Sequence, residues 1–532
     1  MDKIVTVRQG RLRGERSADG EVTAFRGIPF ALPPVGVLRW RGPRPPATWT
    51  GTRDATRAGP IAIQQSMLGH SVLPFGTEPQ SEDCLYLNLW TAAADGGERR
   101  PVIVWIHPGG FQFGSGSSPM FDGDAWAREG VVFVTLNYRL AKLGFLAHPQ
   151  LSAESDEGIS GNYGLLDQIA ALEWVRENIA EFGGDPGCVT IFGISAGASS
   201  VSLLMASPRA RGLFHRAIAE SGGSFGTVAE NSGVADRWQT LAAAARSGKA
   251  WADRIAGGIP TDIRTFDVDT IRAASGVDGT NMQGIFDAAQ PIVDGSVVPA
   301  GSTQIFESRR QAAVPLLVGS AANEDLVMSF TPDLTAYHAH VHAEYGGDAE
   351  RFLALYPATT DAQAVAASLK ASSHRVFTWQ NWTWAHLHAN AGHDVYYYQF
   401  QKAPPVPAGR YDEQTFPRPL GAFHCSSIFF SFDRFSLQDW PWQPEDRVLG
   451  KAIRAAWVEF ARTGRPAAKG LPAWPIFDPA APLIMALNDE PGMTDVPGLE
   501  HLRFWDAHYA MRRGELGLRL SGSVSRRRRH PV

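Results

Sequence analysis

Short apolar runs of strand length alternate along the chain with longer segments in which apolar residues recur at helical spacing. The five clearest strand-like runs are residues 102–106, 131–136, 189–192, 314–318 and 395–400. They are apolar at nearly consecutive positions, which is typical of central strands that helices cover on both faces. Residues 165–182, between the second and third runs, show the helical spacing. This βαβ order predicts an α/β fold, with a large, mostly parallel, twisted central sheet and helices on both faces.

A different composition marks residues 228–289, which are rich in Ala, Gly, Thr and Asp and have only a weak strand pattern. We predict helices and loops inserted over the sheet, because such insertions commonly form the walls of a binding pocket. No internal repeat divides the remaining chain. The sequence therefore predicts one domain over residues 1–520, followed by a basic, disordered tail over residues 521–532 that contains four consecutive arginines.

The bulk composition is that of a soluble globular protein, with 44% hydrophobic and 19% charged residues. The net charge of -5 is small for 532 residues, so it favours neither nucleic acid nor a membrane as a partner. No stretch of about 18 apolar residues predicts a transmembrane helix, and the first residues lack the pattern of a secretory signal. The expected location is the cytoplasm, or the periplasm or exterior if a leader precedes this sequence. The oligomeric state is not indicated.

The three cysteines, Cys84, Cys188 and Cys425, contain no C-x-x-C pair, which argues against a zinc ribbon or a thioredoxin-like site. So few cysteines fit a reducing compartment. His386 and His388 alternate like a metal-binding pair, but no third ligand lies near them in the sequence. We interpret both histidines as structural, and no metal or cofactor is expected.

The strongest candidate chemistry directly follows the third strand-like run. Residues 193–197 read Gly-Ile-Ser-Ala-Gly, the G-x-S-x-G form of a nucleophile elbow, and a helix start rich in small residues comes next. In such a turn the serine backbone is strained, and side chains two residues away on either side would collide, so glycine occupies both positions. Ser195 is therefore predicted to be a nucleophile at a helix N-terminus, where negative charge is favoured. A chance Gly/Ser turn is the alternative.

A second glycine-rich turn follows the first strand-like run. Residues 107–111 read His-Pro-Gly-Gly-Phe, similar to the H-G-G-G turn that supplies backbone N–H groups to an oxyanion hole. Pro108 has no N–H group, so the predicted donors are Gly109 and Gly110, with Ala196 as the third. An ordinary glycine-rich loop is the alternative.

With these motifs in place, the chain resembles the type-B carboxylesterases, the relatives of cholinesterases and bacterial p-nitrobenzyl esterases. The resemblance extends over nearly the whole chain and includes residues 25–31, 33–40, 81–88, 137–139, 161–168 and 182–186. It implies an α/β-hydrolase fold, a Ser–Glu–His triad and no cofactor. In the family, the cysteine within the third of these segments, residues 81–88, often pairs with a second cysteine. That second cysteine is missing here from residues 62–65, so Cys84 is expected to be a buried free thiol.

The resemblance also assigns the other two triad members. Residues 318–325 match the acid-bearing turn of the family and put Glu324 at the acid position. The family usually has glycine after the acid, where this chain has Asp325, so Asp325 stays open as the alternative. Residues 421–424 match the histidine motif and assign His424. The chain order of serine, acid and histidine is the one expected for this fold.

Three positions near the triad depart from the family pattern, and together with Phe111 they are the predicted pocket residues. Ile194 stands where the family typically has glutamate, Ser427 stands at a second glutamate position, and Gly223 stands where serine is frequent. In relatives these groups form one polar network. Their joint replacement predicts a less acidic, more apolar pocket floor that disfavours cationic esters, and neutral drift is the alternative.

The reaction that the resemblance implies is hydrolysis of a carboxylic ester through an acyl-enzyme, with a small-molecule ester as the binding partner. An amidase, a carbamate hydrolase or a lipase on the same triad is the first alternative, because acyl specificity lies in loops. A non-catalytic, adhesion-type relative is the second, and the intact Ser195, Glu324 and His424 argue against it.

Overall fold

The computed structural model of the protein describes residues 3–65, 78–229, 237–259, 261–275, 289–327, 331–410 and 420–525. The strands are β1 (Lys3–Val7), β2 (Gly10–Arg16), β3 (Thr23–Pro29), β4 (Thr52–Asp54), β5 (Tyr86–Thr91), β6 (Arg100–Ile106), β7 (Val132–Leu136), β8 (Gly184–Ile194), β9 (Arg216–Glu220), β10 (Thr227–Ala229), β11 (Arg237–Gln239), β12 (Leu316–Ala321), β13 (Val395–Phe400), β14 (Leu483–Leu487) and β15 (Gly492–Asp495). The α-helices are α1 (Asp124–Arg128), α2 (Ala141–Phe145), α3 (Pro149–Ala153), α4 (Tyr163–Asn178), α5 (Ala196–Ala206), α6 (Leu241–Ile255), α7 (Val268–Ala273), α8 (Ser302–Glu307), α9 (Leu334–Tyr345), α10 (Ala349–Leu355), α11 (Asp361–Ser373), α12 (Trp379–Asn390), α13 (Ser427–Ser431), α14 (Pro444–Thr463) and α15 (Leu499–Ser525).

Thirteen of the described strands form one sheet in the order β1-β2-β3-β5-β7-β6-β8-β9-β12-β13-β14-β15, with β4 paired to β2. The neighbours from β7 through β14 all run parallel. Antiparallel strands extend the sheet at both ends. The prediction of a large, mostly parallel sheet is confirmed, and the antiparallel ends are an addition that the sequence pattern did not predict.

The five predicted apolar runs form β6, β7, β8, β12 and β13, and their alternate residues enter two separate cores. In β6, Val104 belongs to one core, whereas its neighbours Ile103 and Trp105 belong to the other. Because successive side chains of a strand point to opposite faces, a strand that is apolar throughout needs cover on both faces. Helices α4, α5 and α12 cover the first face, and α1 and α14 cover the second.

A buried ion pair fixes the segment that follows β7. The guanidinium of Arg139 donates to both carboxylate oxygens of Asp167 on α4, at 2.8 Å from Nε and 2.6 Å from Nη2. The Arg139 backbone N–H donates to the same carboxylate at 3.0 Å. Both side chains are almost completely buried, at 4% and 0% exposure. The pair therefore holds the start of α2 against α4, and α2 borders the candidate site.

Two further expectations concern the insertion and a cysteine. The described part of residues 228–289 forms α6 and α7, as predicted, together with a short parallel pair of strands, β10 and β11, that the weak strand pattern concealed.

Cys84 is 1% exposed, so its predicted burial is confirmed. Within the described part of the chain, which includes all three cysteines, no disulfide forms.

The predicted boundary at residue 520 lies within α15, which continues to Ser525. Its first half is anchored by buried aromatic residues such as Trp505 and Tyr509. Once a helix is nucleated by such packing, each further residue adds a hydrogen bond at low cost, which allows α15 to continue past residue 520. Residues 526–532 of the predicted tail lie outside the described residues. No helix among those described is long and apolar enough to cross a membrane.

Candidate active site

The predicted triad residues all follow strands of the parallel part of the sheet. Ser195 directly follows β8, Glu324 follows β12, and His424 lies beyond β13. Strand β9 separates β8 from β12, and β13 is the next neighbour of β12. Because the carboxyl ends of parallel strands meet at one edge of a sheet, the three residues emerge along the same edge.

Ser195 occupies a strained turn between β8 and α5. Its backbone has φ 58° and ψ −123°, a combination that residues other than glycine rarely adopt. The turn is held from both sides, because the Ser195 N–H donates to the carbonyl of Glu220 at 2.9 Å and the Ser195 carbonyl accepts from the N–H of Ser199 at 2.9 Å. Within the described residues the Ser195 hydroxyl has no hydrogen-bond partner. In the absence of substrate, the hydrogen bonds of a nucleophile are often long or poorly aligned.

The two glycines of the elbow are required for steric reasons. A Cβ atom on Gly193 would lie 2.3 Å from the carbonyl of Gly197, well inside van der Waals contact. A Cβ atom on Gly197 would lie 2.1 Å from the carbonyl oxygen of Ile106, the last residue of β6. The start of α5 therefore packs directly on the loop that follows β6, which is the predicted oxyanion loop. This contact brings the two glycine-rich motifs together.

The oxyanion loop is equally tight. The Gly109 carbonyl accepts from the N–H groups of Gln112 at 2.9 Å and Phe113 at 3.1 Å. A Cβ atom on Gly109 would lie 1.9 Å from the Phe113 carbonyl oxygen, and φ is 124° there, so only glycine fits. Among the residues that the structure describes, no acceptor binds the backbone N–H groups of Gly109, Gly110 or Ala196. In this part of the chain the three N–H groups therefore have no protein acceptor.

Glu324 and His424 are in direct contact. The Glu324 Oε2 atom lies 2.5 Å from His424 Nδ1, and Oε1 accepts from the N–H of Ala321 at 2.8 Å. Both side chains are buried. Of the two acids that the sequence left open, Glu324 and not Asp325 therefore holds the histidine.

Asn323 joins the loops that carry these two residues. Its N–H donates to the Ala422 carbonyl at 3.0 Å, and its Oδ1 accepts from the Ala422 N–H at 3.0 Å. A Cβ atom on Gly421 would lie 2.2 Å from the same Oδ1 atom, which explains the glycine in the histidine motif. The loops that carry Glu324 and His424 are thus joined by the two hydrogen bonds between Asn323 and the Ala422 backbone, in addition to the hydrogen bond between Glu324 and His424.

The His424 ring is fixed by stacking. Phe377 lies on it with ring centroids 4.3 Å apart and planes 29° from parallel. Burial lowers the pKa of His424, but Cys425 and Glu324 raise it, and the net shift is upward. Because burial raises the pKa of the Cys425 thiol, this thiol stays neutral and Glu324 supplies the negative charge. The pair is suited to stabilise a protonated imidazole.

A second buried acid, Glu220, lies at the end of β9. Its carboxylate accepts a hydrogen bond from the Tyr398 hydroxyl at 2.8 Å and another from the Ser427 hydroxyl. Burial raises the pKa of Glu220 to about 7, even though the hydrogen bonds from Ser427 and Tyr398 act in the opposite direction. The expectation of a less acidic, more apolar floor did not take this residue into account: a buried acid is present, in a position that favours its neutral form.

Two of the predicted pocket residues are packed into the cores. Ile194 has 0% exposure and belongs to the core on the α14 face of the sheet. Phe111 is 2% exposed and packs edge-on against Phe145, with ring centroids 5.3 Å apart. Neither side chain presents surface to a solvent-filled pocket. Both lie behind the site, because the strand end and the tight loop turn these side chains toward the interior.

The other two predicted pocket residues are also buried. A Cβ atom on Gly223 would lie 3.0 Å from Cβ of Gln380, so the space that a serine side chain would need is already occupied by α12. Ser427 donates its hydroxyl hydrogen to Glu220 and is buried beside it. These residues shape the packing around the triad rather than an open pocket wall.

The histidines of α12 make structural contacts. His388 Nε2 lies 2.8 Å from the Val314 carbonyl oxygen, and His386 Nδ1 lies 3.0 Å from the Trp382 carbonyl oxygen. In the described part of the chain, no group of three His, Cys, Asp or Glu side chains is arranged to hold a metal ion.

The family model of the carboxylesterase family matches residues 1–505. The chain belongs to this family. It is 36% identical over 482 residues to the fumonisin B1 esterase of Sphingopyxis macrogoltabida, covering 89% of this chain and 84% of that protein. It is 35% identical over 505 residues to the para-nitrobenzyl esterase of Bacillus subtilis strain 168, and the match covers 92% of this chain and 95% of that protein. The crystal structure of the carboxylesterase EST55 of Geobacillus stearothermophilus matches with a TM-score of 0.77 and 33% identity, covering 94% of this chain and 99% of that one.

These similarities identify the protein as a carboxylic ester hydrolase with the α/β-hydrolase fold, as the sequence resemblance implied. The esterase contains three site residues that the sequence analysis missed, Asn323, Phe377 and Glu220. Only Glu220 has a local signal, since it is an acidic residue that ends a buried apolar strand. Phe377 lies in a π-helical turn, His374–Thr378, and such turns are frequent at functional sites but have no clear sequence pattern.

Replacing Glu220 with glutamine is expected to change how the stability of the esterase depends on pH. The folded pKa of about 7 lies above the ordinary value of 4.5, so the folded protein keeps a proton that the unfolded chain releases between these values. The free energy of unfolding of the wild type therefore falls by up to about 3 kcal/mol as pH rises through this window. Glu220→Gln lacks this decrease, and urea unfolding at pH 5 and pH 8 measures it.

The same substitution is expected to move the acidic limb of the kcat/KM profile to lower pH, because removing a negative charge near His424 lowers the pKa of the imidazole. Glu173→Gln, at an exposed position on α4, is the control for the change in formal charge. Equal pH dependence of unfolding in wild type and Glu220→Gln would contradict the assignment of the raised pKa to Glu220.

Proposed function

We propose that the esterase works through a Ser195–His424–Glu324 triad and an acyl-enzyme intermediate, with a preference for neutral or anionic esters over cationic ones. The observation that carries the proposal is the combination of a serine in a strained strand-to-helix turn with a buried His424–Glu324 pair at the same edge of the sheet.

In the first step, His424 Nε2 takes the hydroxyl proton of Ser195, and Ser195 Oγ attacks the ester carbonyl carbon. The contact between Glu324 and Nδ1 supports this role, because it occupies Nδ1, which assigns the proton transfer to Nε2, and it stabilises the imidazolium that forms. The alcohol then leaves with the proton from His424. Water, activated by the same histidine, releases the acid and regenerates Ser195.

The negative oxygen of the tetrahedral intermediates is proposed to bind the N–H groups of Gly109, Gly110 and Ala196. Their lack of acceptors among the described residues supports this role, as does the contact between the start of α5 and the loop after β6. Ala196 is the first residue of α5, where a backbone N–H has no partner within the helix. One such donor is typically worth about 3–4 kcal/mol of the activation barrier.

The preference against cations rests on the state of the two acids that interact with His424. Glu324 is committed to the histidine through its short hydrogen bond. The pKa of Glu220 is raised to about 7 by burial, so much of its population is uncharged at neutral pH. Little negative charge is then left to attract a cationic substrate, and an ammonium group would lose its hydration without a partner.

A matched pair of thioesters tests the charge preference. Butyrylthiocholine and its neutral isostere, 3,3-dimethylbutyl thiobutyrate, differ in one quaternary nitrogen. We expect kcat/KM to be at least tenfold higher for the neutral thioester, about 1.4 kcal/mol in the barrier. A preference for butyrylthiocholine would contradict the charge proposal while leaving the triad in place.

Reaction with a fluorophosphonate tests the triad itself. We expect one equivalent to bind and mass spectrometry to find the label on Ser195. A label on another residue would contradict the proposed nucleophile. The same protein is then tested on 4-nitrobutyranilide and on a phenyl carbamate, and faster turnover of either than of 4-nitrophenyl butyrate would favour an amidase or a carbamate hydrolase.

A further inference from the structure

An aromatic ring covers one face of the proposed catalytic histidine. The rings of Phe377 and His424 are stacked, with centroids 4.3 Å apart and planes 29° from parallel. Both side chains are buried. Glu324 contacts the same imidazole at its edge, where Oε2 lies 2.5 Å from Nδ1. The histidine is therefore held by a carboxylate at one edge and by an aromatic ring across one face.

The packing of Phe377 does not follow from the large cores of the protein. Phe377 belongs to a small hydrophobic cluster with Leu369 and Val376, against which Val365 packs. This cluster is separate from the two cores that cover the faces of the sheet. The placement of the Phe377 ring therefore has to be explained by the turn of the chain that carries it.

That segment is the π-helical turn His374–Thr378, between α11 and α12. The N–H of Trp379 donates to the carbonyl of His374, five residues earlier, where an α-helix would use the residue four positions earlier. One extra residue rotates α11 relative to α12 by about 100° compared with an unbroken helix. Such turns are rare and occur frequently at functional sites. Here the turn places Phe377 on His424.

Helix α15 holds the π-helical turn at both ends. The Tyr356 hydroxyl lies 2.9 Å from His374 Nδ1 and accepts a hydrogen bond from Trp505 Nε1 at 3.0 Å. Burial lowers the pKa of His374 to about 3, so its ring is neutral and Nδ1 accepts the hydroxyl hydrogen. After the turn, Trp379 Nε1 donates to Asp506 Oδ1 at 2.9 Å. Because Trp505 and Asp506 both lie on α15, the turn is fixed against this helix.

An aromatic ring in this position interacts differently with the two protonation states of His424. The face of such a ring carries a negative electrostatic potential and attracts a cation, most strongly where water is excluded. In the proposed reaction the imidazole becomes positively charged when it takes the proton of Ser195, and it is neutral before that step. An interaction that is stronger in the transition state than in the ground state accelerates the reaction.

We propose that Phe377 is a positioning residue of the esterase, which fixes the His424 ring and stabilises its protonated form through the face of the aromatic ring. The proposal rests on the proposed function and adds a second group to Glu324 in stabilising the imidazolium. Formation and hydrolysis of the acyl-enzyme both pass through the imidazolium, so kcat depends on Phe377 whichever step limits the rate.

A series of fluorinated phenylalanines at position 377 tests the proposal. Fluorine withdraws electrons from the face of the ring while the shape of the ring changes little, and 4-fluoro-, 3,4,5-trifluoro- and pentafluorophenylalanine are introduced by suppression of a stop codon. We expect kcat for 4-nitrophenyl butyrate to fall stepwise with the number of fluorine atoms, by about tenfold in total, with KM changed less than twofold. A residue that only fills space predicts equal kcat throughout the series, and that result would overturn the proposal.

Two substitutions and a matched position control for packing. Phe377→Leu keeps an apolar side chain but removes the aromatic face, and we expect kcat to fall at least as far as with pentafluorophenylalanine. Phe377→Tyr keeps the aromatic face and is expected to retain most of the activity. Phe182 is buried, packs edge-on against Phe25 with ring centroids 5.0 Å apart, and precedes β8, at the opposite end of this strand from Ser195. Pentafluorophenylalanine at position 182 is expected to leave kcat unchanged.

A titration separates this proposal from the proposed reaction. Glu324, Cys425 and Glu220 are the titratable groups that interact with His424, and none of them changes in the fluorinated series. In a Ser195→Ala background, NMR of the histidine rings is expected to show that the pKa of His424 falls as fluorine is added, because the protonated form loses stabilisation. An unchanged pKa would overturn the role of the aromatic ring. If the wild type hydrolyses no ester but this pKa falls with fluorination, the proposed reaction is wrong and the interaction between the two rings stands.

Discussion

Replacing Ser195 with alanine is expected to lower kcat for 4-nitrophenyl butyrate on the order of 10⁶-fold, as for removal of the nucleophile in other serine hydrolases. The fold should not change, because alanine fits the elbow at least as easily as serine and the backbone contacts of the turn do not involve the hydroxyl. Stopped-flow or long-term hydrolysis assays measure the residual rate, and the far-UV circular dichroism spectrum checks the fold.

Ser199→Ala is the matched control, because Ser199 lies one turn further along α5 and its hydroxyl donates only to the Gly223 carbonyl. We expect a loss of less than tenfold for this variant. Comparable rates in wild type and Ser195→Ala would show that another residue is the nucleophile and would remove the basis of the proposed mechanism.

Replacing Asp167 with alanine is expected to lower the free energy of unfolding by about 3–5 kcal/mol, because the buried Arg139 guanidinium then lacks its counter-charge. Three hydrogen bonds to the carboxylate are lost in the same step. The effect is measured as the shift of the urea midpoint at constant slope.

An exposed ion pair provides the contrast. Glu177→Ala removes the partner of Arg8 at a position where the two side chains are 65% and 38% exposed, and we expect a change below about 1 kcal/mol. Equal decreases in the free energy of unfolding for Asp167→Ala and Glu177→Ala would show that burial of the ion pair is not the cause of the large effect. A double variant, Arg139→Met with Asp167→Leu, is expected to recover part of the loss because no unpaired charge remains.

The centre of the sheet could be predicted from the sequence because its strands are apolar on both faces. Residues 395–400, for example, were predicted as a strand and form β13 with the same bounds. The edge strands could not be predicted in this way. Strand β2, for example, buries only Leu12 and Gly14, and most of its other residues are charged. A pattern with so few apolar positions is shared by many loops.

The site could be predicted only where its groups lie in local motifs. The elbow and the oxyanion loop are each specified within five residues, so Ser195 and Gly109 were accessible to sequence reasoning. The choice between Glu324 and Asp325 could not be made from the sequence, because adjacent residues of an irregular turn point in directions that depend on tertiary packing. Glu220 is more than 170 residues away in the sequence from its hydrogen-bond partners, Tyr398 and Ser427, so no local sequence pattern predicts these contacts.

Asn323 joins the acid loop to the histidine loop through backbone groups of Ala422, and this junction requires the Asn323 amide oxygen and a glycine at position 421. The hydrogen bonds of this junction are made by residues 323 and 422, outside the insertion over residues 228–289. Gene libraries confined to that stretch are therefore expected to yield new substrate choices at a high frequency of active clones. A crossover point between residues 323 and 422, in contrast, would separate two loops that are matched to each other.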